Sequence, residues 1–459
     1  MKVSLTKIVS FLFLITLFFI PFDGVGMISF GEFSKEAYIV FLLLFILIYG
    51  LTRYVKPISI PKFTVELQLF LLFFILVIFS SVINLPEIFS NEHFSRTGPE
   101  KLISQLFVLF FFFPIVLFLF YDLLKNNSTI IVKIRRVFVV ALYIVFVVGL
   151  LETIYIYYRI PIVEEFLDLI DEIPQVSIFK NHWDKRLSSI TKEPPSLGMF
   201  LIMVLPWIIA LKPIKKSFWN YRFPLIMILF LAIFSNSRSG LVIILLQFIA
   251  YGFLKYTHSL SYRKLMNIFK LFIGLFISFI IVFIAVKDTE FVQKKIETYD
   301  FIGKYNKSQS NKTRLGTYLA SFEQIKNHPI FGSGYGQGGF HVLDKYPDWA
   351  VKDNVEIHRY RTGERFPPLF NIYIRILLEV GIAGLIVFLI FLFMLFMKSV
   401  KLYYRNKNYF KNYAIIMILS LIGYALTWIQ FDTFRVLGFW LFFSFYLYTI
   451  NTERKYEIK

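Results

Sequence analysis

Long apolar runs separated by short polar stretches dominate the chain. Each run has about the length that an α-helix needs to cross the bilayer hydrocarbon, roughly 20 residues with about 17 still workable. Only helices satisfy every backbone polar group within such runs. The pattern therefore predicts an all-α polytopic bundle formed by residues 1–459. Its twelve predicted transmembrane helices lie near 7–22, 37–52, 65–85, 102–124, 137–158, 196–211, 223–236, 239–254, 265–286, 371–397, 412–430 and 435–450.

Lysine and arginine alternate between the loops of this segmentation. They are frequent after 37–52, after 102–124 and in the C-terminal tail, and sparse in 23–36 and 431–434. Because short cytoplasmic loops retain Lys and Arg, both termini are predicted to be cytoplasmic. The first helix resembles a signal peptide, but it lacks a small-x-small cleavage site and is predicted to be retained.

Two long segments fall on the external side of this prediction. Residues 159–195 place apolar side chains such as Ile162 and Phe166 opposite acidic ones such as Asp168, at helical spacing. This spacing predicts an amphipathic helix on the membrane face. Residues 287–370 are too many for a connector and are mixed in charge, so they are predicted to carry helices and to cover the bundle. Function is expected in this second segment.

Composition agrees with a membrane protein, since 57% of the residues are hydrophobic and only 17% are charged. The net charge of +19 comes from short clusters between apolar runs, so it indicates orientation and not nucleic-acid binding. The chain has no cysteine, which excludes disulfides and thiolate metal sites. No two histidines have the spacing of a helical zinc site, so no metal is predicted.

Three charged residues flank apolar helices on the predicted external side. Arg238 lies in Asn-Ser-Arg-Ser-Gly, residues 236–240, where small neighbours leave room for a ligand. The alternative explanation for Arg238 is an arginine whose side chain extends to the lipid headgroups. Arg186 and Glu193 precede a helix predicted to begin at Pro194, whose N-terminal dipole favours anions. A salt-bridged interfacial loop is the alternative for this pair.

The segment 287–370 contributes further candidates. Arg314 lies on a predicted amphipathic helix, and a glycine-rich stretch follows at 332–336. Glycines allow close approach of an anion or a sugar, and they also allow a tight turn. His358 and Glu364 lie in a basic run before the tenth predicted helix, where a solvated loop is the alternative.

Taken in order, these motifs resemble those of the O-antigen ligase and polymerase superfamily of bacterial envelope glycan assembly. The resemblance covers roughly residues 180–390, and it depends on motif order and membrane side because no single motif is specific. The matching stretches are Arg186 with Glu193-Pro194-Pro195-Ser196, Ser237-Arg238-Ser239-Gly240, Arg314 with residues 328–336, and residues 371–384.

The resemblance implies a glycosyltransferase of the bacterial inner membrane that acts on the periplasmic face without metal or cofactor. Its substrate would be an oligosaccharide linked to undecaprenyl diphosphate, and its donor glycan would pass to an acceptor sugar hydroxyl. A chain-length regulator and a flippase of the same pathway, and membrane lipids, are the implied partners. A lipid-linked sugar transporter is the alternative of another class, although the inverted repeats typical of transporters are not visible.

The resemblance also implies roles for individual residues. Arg238 and Arg314 would hold the diphosphate, with Arg186 assisting. Ligases of the superfamily commonly carry a histidine immediately before the asparagine that corresponds to Asn371, where this chain has Phe370. The catalytic base is therefore assigned to His358 or Glu193, with Glu364 and Asn371 as supporting residues. The missing histidine favours a polymerase over a ligase.

Overall fold

The computed structural model describes residues 5–22, 36–55, 57–173, 185–191, 193–213, 217–257, 309–405 and 409–457. Helices predominate in these ranges, and a two-stranded antiparallel ribbon, Glu92–His93 with Arg96–Thr97, is the sheet present in them. The long or apolar helices are Leu5–Phe18, Tyr38–Val55, Val65–Ile83, Gly98–Phe110 continued by a π-helix Phe111–Val116 and by Leu117–Asn126, Ile130–Tyr158, Pro194–Ala210, Phe223–Phe234, Arg238–Thr257, Gly381–Arg405, Tyr409–Thr427 and Leu437–Glu457. The remaining helices are Leu85–Ser90, Pro161–Asp171, Phe218–Tyr221, Gln309–Ile325, Gly338–Val342, a 3-10 turn Leu343–Lys345, Asp348–Val351, Val355–Arg361 and Ile372–Glu379.

The predicted all-α membrane class is confirmed. Within the described ranges, six helices are long and apolar enough to cross a membrane, and four shorter apolar helices accompany them. Ten of the twelve predicted spans coincide with continuous helical segments, 371–397 contains two helices, and 265–286 lies outside the described residues. The total of twelve spans therefore stays a prediction.

Interlocked aromatic rings fill the middle of the bundle. The Phe70 ring lies 4.8 Å from Phe113, 5.1 Å from Phe391 and 5.6 Å from Trp440, measured between ring centroids. Tilted and edge-to-face contacts of this kind add to the free energy gained by burying the rings. The abundance of phenylalanine in the sequence thus supplies the contacts between helices that are distant in the chain.

Buried acidic side chains pair with basic residues at one end of the bundle. Arg53 Nε lies 2.7 Å from Asp122 Oδ2, and Lys398 Nζ lies 2.6 Å from Glu66 Oε1. Both carboxylates are fully buried, and a buried charge is tolerated only with such a partner. Arg53 and Lys398 belong to the basic loops that the sequence assigns to the cytoplasm.

Residues 309–370, here called the cap, fold over the opposite end of the bundle around a small core of their own. That core includes Ala320, Tyr346, Ala350 and Ile357, all buried. The cap contacts the bundle where the helix Tyr409–Thr427 ends, because the Tyr318 hydroxyl donates to Ile429 O at 3.4 Å. We refer to this side as the cap end. The helices predicted within 287–370 are present from residue 309 onward, and residues 287–308 lie outside the described ranges.

The prediction of one continuous helix over 371–397 is wrong. The structure has two helices, Ile372–Glu379 and Gly381–Arg405, and the glycine-rich stretch of the cap inserts at the break. The Ser333 N–H donates to Leu378 O at 3.0 Å, which supplies a donor to the end of the first helix. The glycine-rich stretch is therefore a tight structural turn that interlocks with the bundle.

Gly381 makes this interlock possible. Its φ is +78°, a value that glycine adopts without strain, and a Cβ at this position would lie 2.2 Å from Ile330 O. The Ile382 N–H, freed at the start of the second helix, donates to Pro329 O at 2.9 Å. The break is thus fixed by a loop that lies some fifty residues earlier in the chain, which no local pattern around residue 380 encodes.

The helix predicted within residues 159–195 is Pro161–Asp171. Leu167 is buried against the bundle, whereas Ile162, Phe166 and Leu169 are exposed along one side. An exposed apolar stripe of this kind is typical of a helix that lies in a membrane interface. Its position on the membrane face stays a prediction.

Candidate functional site

Arg238 is the first residue of the helix Arg238–Thr257. The start of the neighbouring helix Pro194–Ala210 lies directly against it, because a Cβ on Gly240 would come within 3.2 Å of Gly198 Cα. The two glycines let the helices approach through their backbones. Two helix N-termini, each with a partial positive charge from the helix dipole, therefore lie side by side, and Arg238 begins one of them.

Arg186 lies next to this pair of helix starts. The Leu187 N–H donates to Phe234 O at 3.2 Å, four residues before Arg238 in the chain. Arg186 Nε is buried and has no hydrogen-bond partner among the described residues. A buried guanidinium N–H without an acceptor is costly.

Glu152 holds the segment that carries Arg186, and sequence reasoning missed it. This carboxyl group is fully buried in the helix Ile130–Tyr158. It accepts the N–H of Ser189 at 2.6 Å and the N–H of Ser188 at 3.3 Å. An acidic residue inside an apolar run was the signal that could have identified it.

Strained backbone conformations accompany the candidate residues. Four of the non-glycine residues with positive φ are Lys185, Ser189, Asn236 and Phe370, with φ between 48° and 58°. They flank Arg186, Arg238 and Asn371 in sequence. Such conformations are uncommon for residues with a Cβ and concentrate at functional sites.

Arg238 lies at the cap end of the bundle. Its helix, Arg238–Thr257, packs along Tyr409–Thr427. Near the far end of the Arg238 helix, Leu254 O accepts a hydrogen bond from the hydroxyl of Tyr403, which lies just before Tyr409–Thr427 begins. The two helices therefore run in opposite directions, and Arg238 lies where the second one ends, on the side of the cap.

Arg314 belongs to the cap helix Gln309–Ile325 and lies over the ring of Phe370, 5.2 Å from its centroid. Phe370 thus occupies the position of the missing histidine and makes a cation–π contact with one of the predicted diphosphate ligands. The neighbouring Tyr318 hydrogen-bonds to the Asn371 side chain. Burial raises the pKa of Tyr318 above its usual value, although the Arg314 charge acts in the opposite direction. Tyr318 is therefore a neutral hydroxyl at neutral pH.

Asn371 is the N-cap of the helix Ile372–Glu379, and its side chain accepts the N–H groups of Tyr373 at 2.9 Å and Ile374 at 3.2 Å. These bonds satisfy donors that a helix start leaves free. Asn371 therefore fixes the helix that follows the cap and, through Tyr318, the helix that carries Arg314.

A second buried network that sequence reasoning missed lies one turn further along this helix. Arg375 Nε donates to Glu379 at 2.9 Å, and its terminal nitrogens donate to Asp432 O at 2.6 Å and Gln105 Oε1 at 3.0 Å. The Tyr335 ring stacks on the same guanidinium at 4.9 Å. Every one of these partners is internal, so Arg375 ties the cap to the bundle and is not free for a ligand. The Arg-x-x-x-Glu spacing in an apolar helix was the available signal.

The candidate bases lie near different arginines. Glu193 is exposed and is the N-cap residue of Pro194–Ala210, beside Arg186 and Arg238. His358 is exposed on the short helix Val355–Arg361, whose N-cap Asn354 bonds to Thr313, next to Arg314. Glu364 is exposed and lies 3.5 Å from Arg359. The structure thus brings Arg186, Glu193 and Arg238 into one group and Arg314 and Asn371 into another, both at the cap end.

Comparison with known proteins identifies one family. Residues 223–389 match a family model described as O-antigen ligase. This range includes Arg238, Arg314 and Asn371, as well as the candidates His358 and Glu364, and it does not include Arg186 or Glu193. No curated protein matches the chain.

Proposed function

We propose that this chain, which belongs to the O-antigen ligase and polymerase superfamily, is an envelope polysaccharide polymerase that extends a glycan linked to undecaprenyl diphosphate. Members of the superfamily are glycan-transferring enzymes. In this reaction one lipid-linked oligosaccharide would be the donor and the sugar hydroxyl of another would be the acceptor. The chain would act in the bacterial inner membrane, on its periplasmic face.

The observation that carries this proposal is the group of cations at the cap end. Arg238 begins one helix beside the start of another, and Arg186 presents a buried nitrogen with no acceptor in the described residues. Arg314 lies on the cap at the same end. Guanidinium groups and helix N-termini are the groups that recognise phosphate oxygens. A diphosphate is the ligand that best fits several such donors together.

The chemistry requires these donors. The acceptor hydroxyl oxygen attacks the anomeric carbon of the donor, a new glycosidic bond forms, and the bond from that carbon to the diphosphate oxygen breaks. The leaving undecaprenyl diphosphate gains negative charge, which Arg238 and Arg314 would stabilise, with Arg186 assisting. In many enzymes, hydrogen-bond donors already oriented toward a developing charge, in a site with little water, make the largest single contribution to stabilising the transition state. No metal is required for this step.

The proton of the acceptor hydroxyl must pass to a base. Glu193 lies with the arginine group at the helix starts, and His358 lies on the helix bonded to the start of the Arg314 helix. We propose that one of these two takes the proton, with Glu364 and Asn371 in support. Asn371 would act by positioning Tyr318 and the Arg314 helix, since its own amide oxygen is occupied as a helix cap.

A ligase of the same superfamily is the second candidate, because the matching family model is described as O-antigen ligase. The two reactions share the donor and the leaving group and differ in the acceptor. Deletion in the native cells separates them. Loss of a polymerase leaves glycans with a single repeat unit, whereas loss of a ligase leaves long polymer on the lipid carrier.

The experiment replaces Arg238 and Arg314 separately with alanine in cells that lack the native chain. Arg365→Ala is the matched control, because Arg365 is an exposed arginine of the cap outside both groups. We expect the first two variants to reach the membrane and to make only single-unit glycans, and the control to make the full ladder. A wild-type ladder from either Arg238→Ala or Arg314→Ala would refute the mechanism.

A further inference from the structure

A polar groove lies between the ribbon Glu92–Thr97 and the cap. Its volume is about 790 Å³. Asn91 and His93 line one wall, and Gln324, Phe340, Asp344 and Arg361 are among the residues of the other. A volume in this range is typical of pockets that bind organic ligands.

The lining chemistry fits a polyhydroxylated ligand. Nine of the eleven lining residues have polar side chains, and they include two carboxylates, two cations and two amides. The charges balance, so the groove does not favour an anion such as a diphosphate. Hydroxyl groups both donate and accept, and they can use carboxylates, amides and cations together. The half-buried ring of Phe340 adds an apolar surface for the C–H face of a sugar.

The walls of the groove are held in place by bonds that do not involve a ligand. His93 Nε2 lies 2.7 Å from Tyr360 O, which ties the ribbon to the cap. Asn91 Nδ2 donates to Gln337 Oε1 at 3.0 Å, and Asn91 O accepts the N–H of Gly98 at 2.8 Å. A groove ordered in advance binds a flexible chain at lower entropic cost.

The end of the groove at Gln324 lies well away from Arg314, the predicted diphosphate ligand. Gln324 follows Arg314 by ten residues on one helix, which corresponds to a rise of about 15 Å. A sugar bonded directly to the diphosphate would not span this distance. Only the more remote sugars of an oligosaccharide would reach this end of the groove.

We propose that this groove binds the remote sugars of the lipid-linked oligosaccharide and so selects substrates by the length and identity of their glycan. This inference rests on the proposed glycan-transfer function. Asp344 and Phe340 are its test residues, because the first is exposed and the second lies only partly buried at the wall. Asp348, an exposed carboxylate four residues after Asp344 and outside the groove, is the matched control.

Binding is measured first, without catalysis. The probes are the water-soluble oligosaccharides released by mild acid from the lipid-linked pool of the native cells, and the protein is the full chain in lipid nanodiscs. We expect Asp344→Ala to raise the dissociation constant about tenfold, the effect of losing one hydrogen bond to a charged group. Phe340→Ala should weaken binding similarly, while Asp348→Ala should bind like the wild type. Equal binding by Asp344→Ala, Phe340→Ala and wild type, or no binding by wild type, would overturn the proposal.

Transfer is measured next, with lipid-linked donors that carry one or several repeat units. We expect Asp344→Ala to raise KM for the longer donor and to leave KM for the shorter donor and kcat unchanged. Arg314→Ala should abolish transfer and still bind the released oligosaccharides. A wild-type protein that binds these oligosaccharides but forms no glycosidic bond would refute the proposed function and not the groove. A uniform rise in KM for both donors would refute the groove and not the proposed function.

Discussion

Replacement of Glu152 by alanine would leave two buried backbone N–H groups without an acceptor. Those of Ser189 and Ser188 lie 2.6 Å and 3.3 Å from the carboxylate, which is itself fully buried. A buried donor left unsatisfied costs about 1–3 kcal/mol, and the longer bond belongs to the low end of that range. We therefore expect Glu152→Ala to lower the free energy of unfolding by about 2–4 kcal/mol.

Loss of the Glu152 hydrogen bonds should also reduce glycan transfer, because the two serines follow Arg186 in the same short segment. We expect Glu152→Ala to shorten the glycan ladder even in membranes where the protein is still folded. Glu152→Gln keeps one carbonyl oxygen that can accept the Ser189 N–H, so it should recover part of both the stability and the ladder. Chemical denaturation of the purified protein and gel analysis of the glycan measure the two effects.

Glu164→Ala is the control for this prediction. Among the described residues the Glu164 side chain accepts one hydrogen bond, from the Tyr155 hydroxyl at 2.8 Å, and it is only partly buried. Its removal should cost about 1 kcal/mol or less. The reasoning about Glu152 would be refuted if Glu152→Ala unfolded at the same denaturant concentration as Glu164→Ala and made glycans of wild-type length.

Three further substitutions or conditions test other parts of the structure. Phe370→Leu removes the cation–π contact to Arg314, so it should weaken donor binding by a factor of about 2–5, measured as KM, whereas Phe370→Trp should retain it. Gly381→Ala should prevent folding, because φ is +78° and a Cβ would lie 2.2 Å from a backbone oxygen. Gly252→Ala is its control, since a Cβ there would meet no atom within 4 Å, and it should leave the yield of detergent-solubilised protein unchanged. Burial lowers the pKa of His341 below its usual 6.5, so the folded protein favours the neutral ring. The contribution of neutral His341 to the free energy of unfolding is complete above pH 6.5 and decreases as the pH falls from 6.5 to the lower pKa of His341 in the folded protein. We expect His341→Gln to flatten this part of the curve of unfolding free energy against pH, which chemical denaturation at several pH values measures.

The helices of the bundle could be predicted because their signal is local. An apolar run of sufficient length favours a helix in lipid whatever its neighbours are, so ten predicted spans coincide with continuous helical segments. The break at Gly381 could not be predicted in the same way. It depends on backbone groups of residues 329–334, which reach it only in the folded chain.

The candidate site was predictable to the extent that charged residues are conspicuous among apolar ones. Arg238 and Arg314 were identified by this contrast and by the order of the motifs, and the structure places them both at the cap end. Glu152 and Arg375 carry the same contrast, but their function in the fold depends on partners that are distant in sequence. Ser189 lies 37 residues from Glu152, and Gln105 lies 270 residues from Arg375.

The polar groove had no sequence signal at all. Its walls come from residues near 91, 340 and 361, and ordinary polar side chains in separate loops do not predict a common surface. Hydrogen bonds between the ribbon and the cap, such as that of His93 with Tyr360 O, bring these walls together in the folded chain.

A purified reaction with defined lipid-linked repeat units tests the central claim most directly, because product length is read without the rest of the pathway. The account predicts that the wild type and Arg365→Ala convert single units into a ladder of longer glycans. It predicts that Arg238→Ala and Arg314→Ala each lower the rate about 100-fold or more, since each removes a donor to the leaving diphosphate. Ladders formed at the wild-type rate by either variant would contradict it.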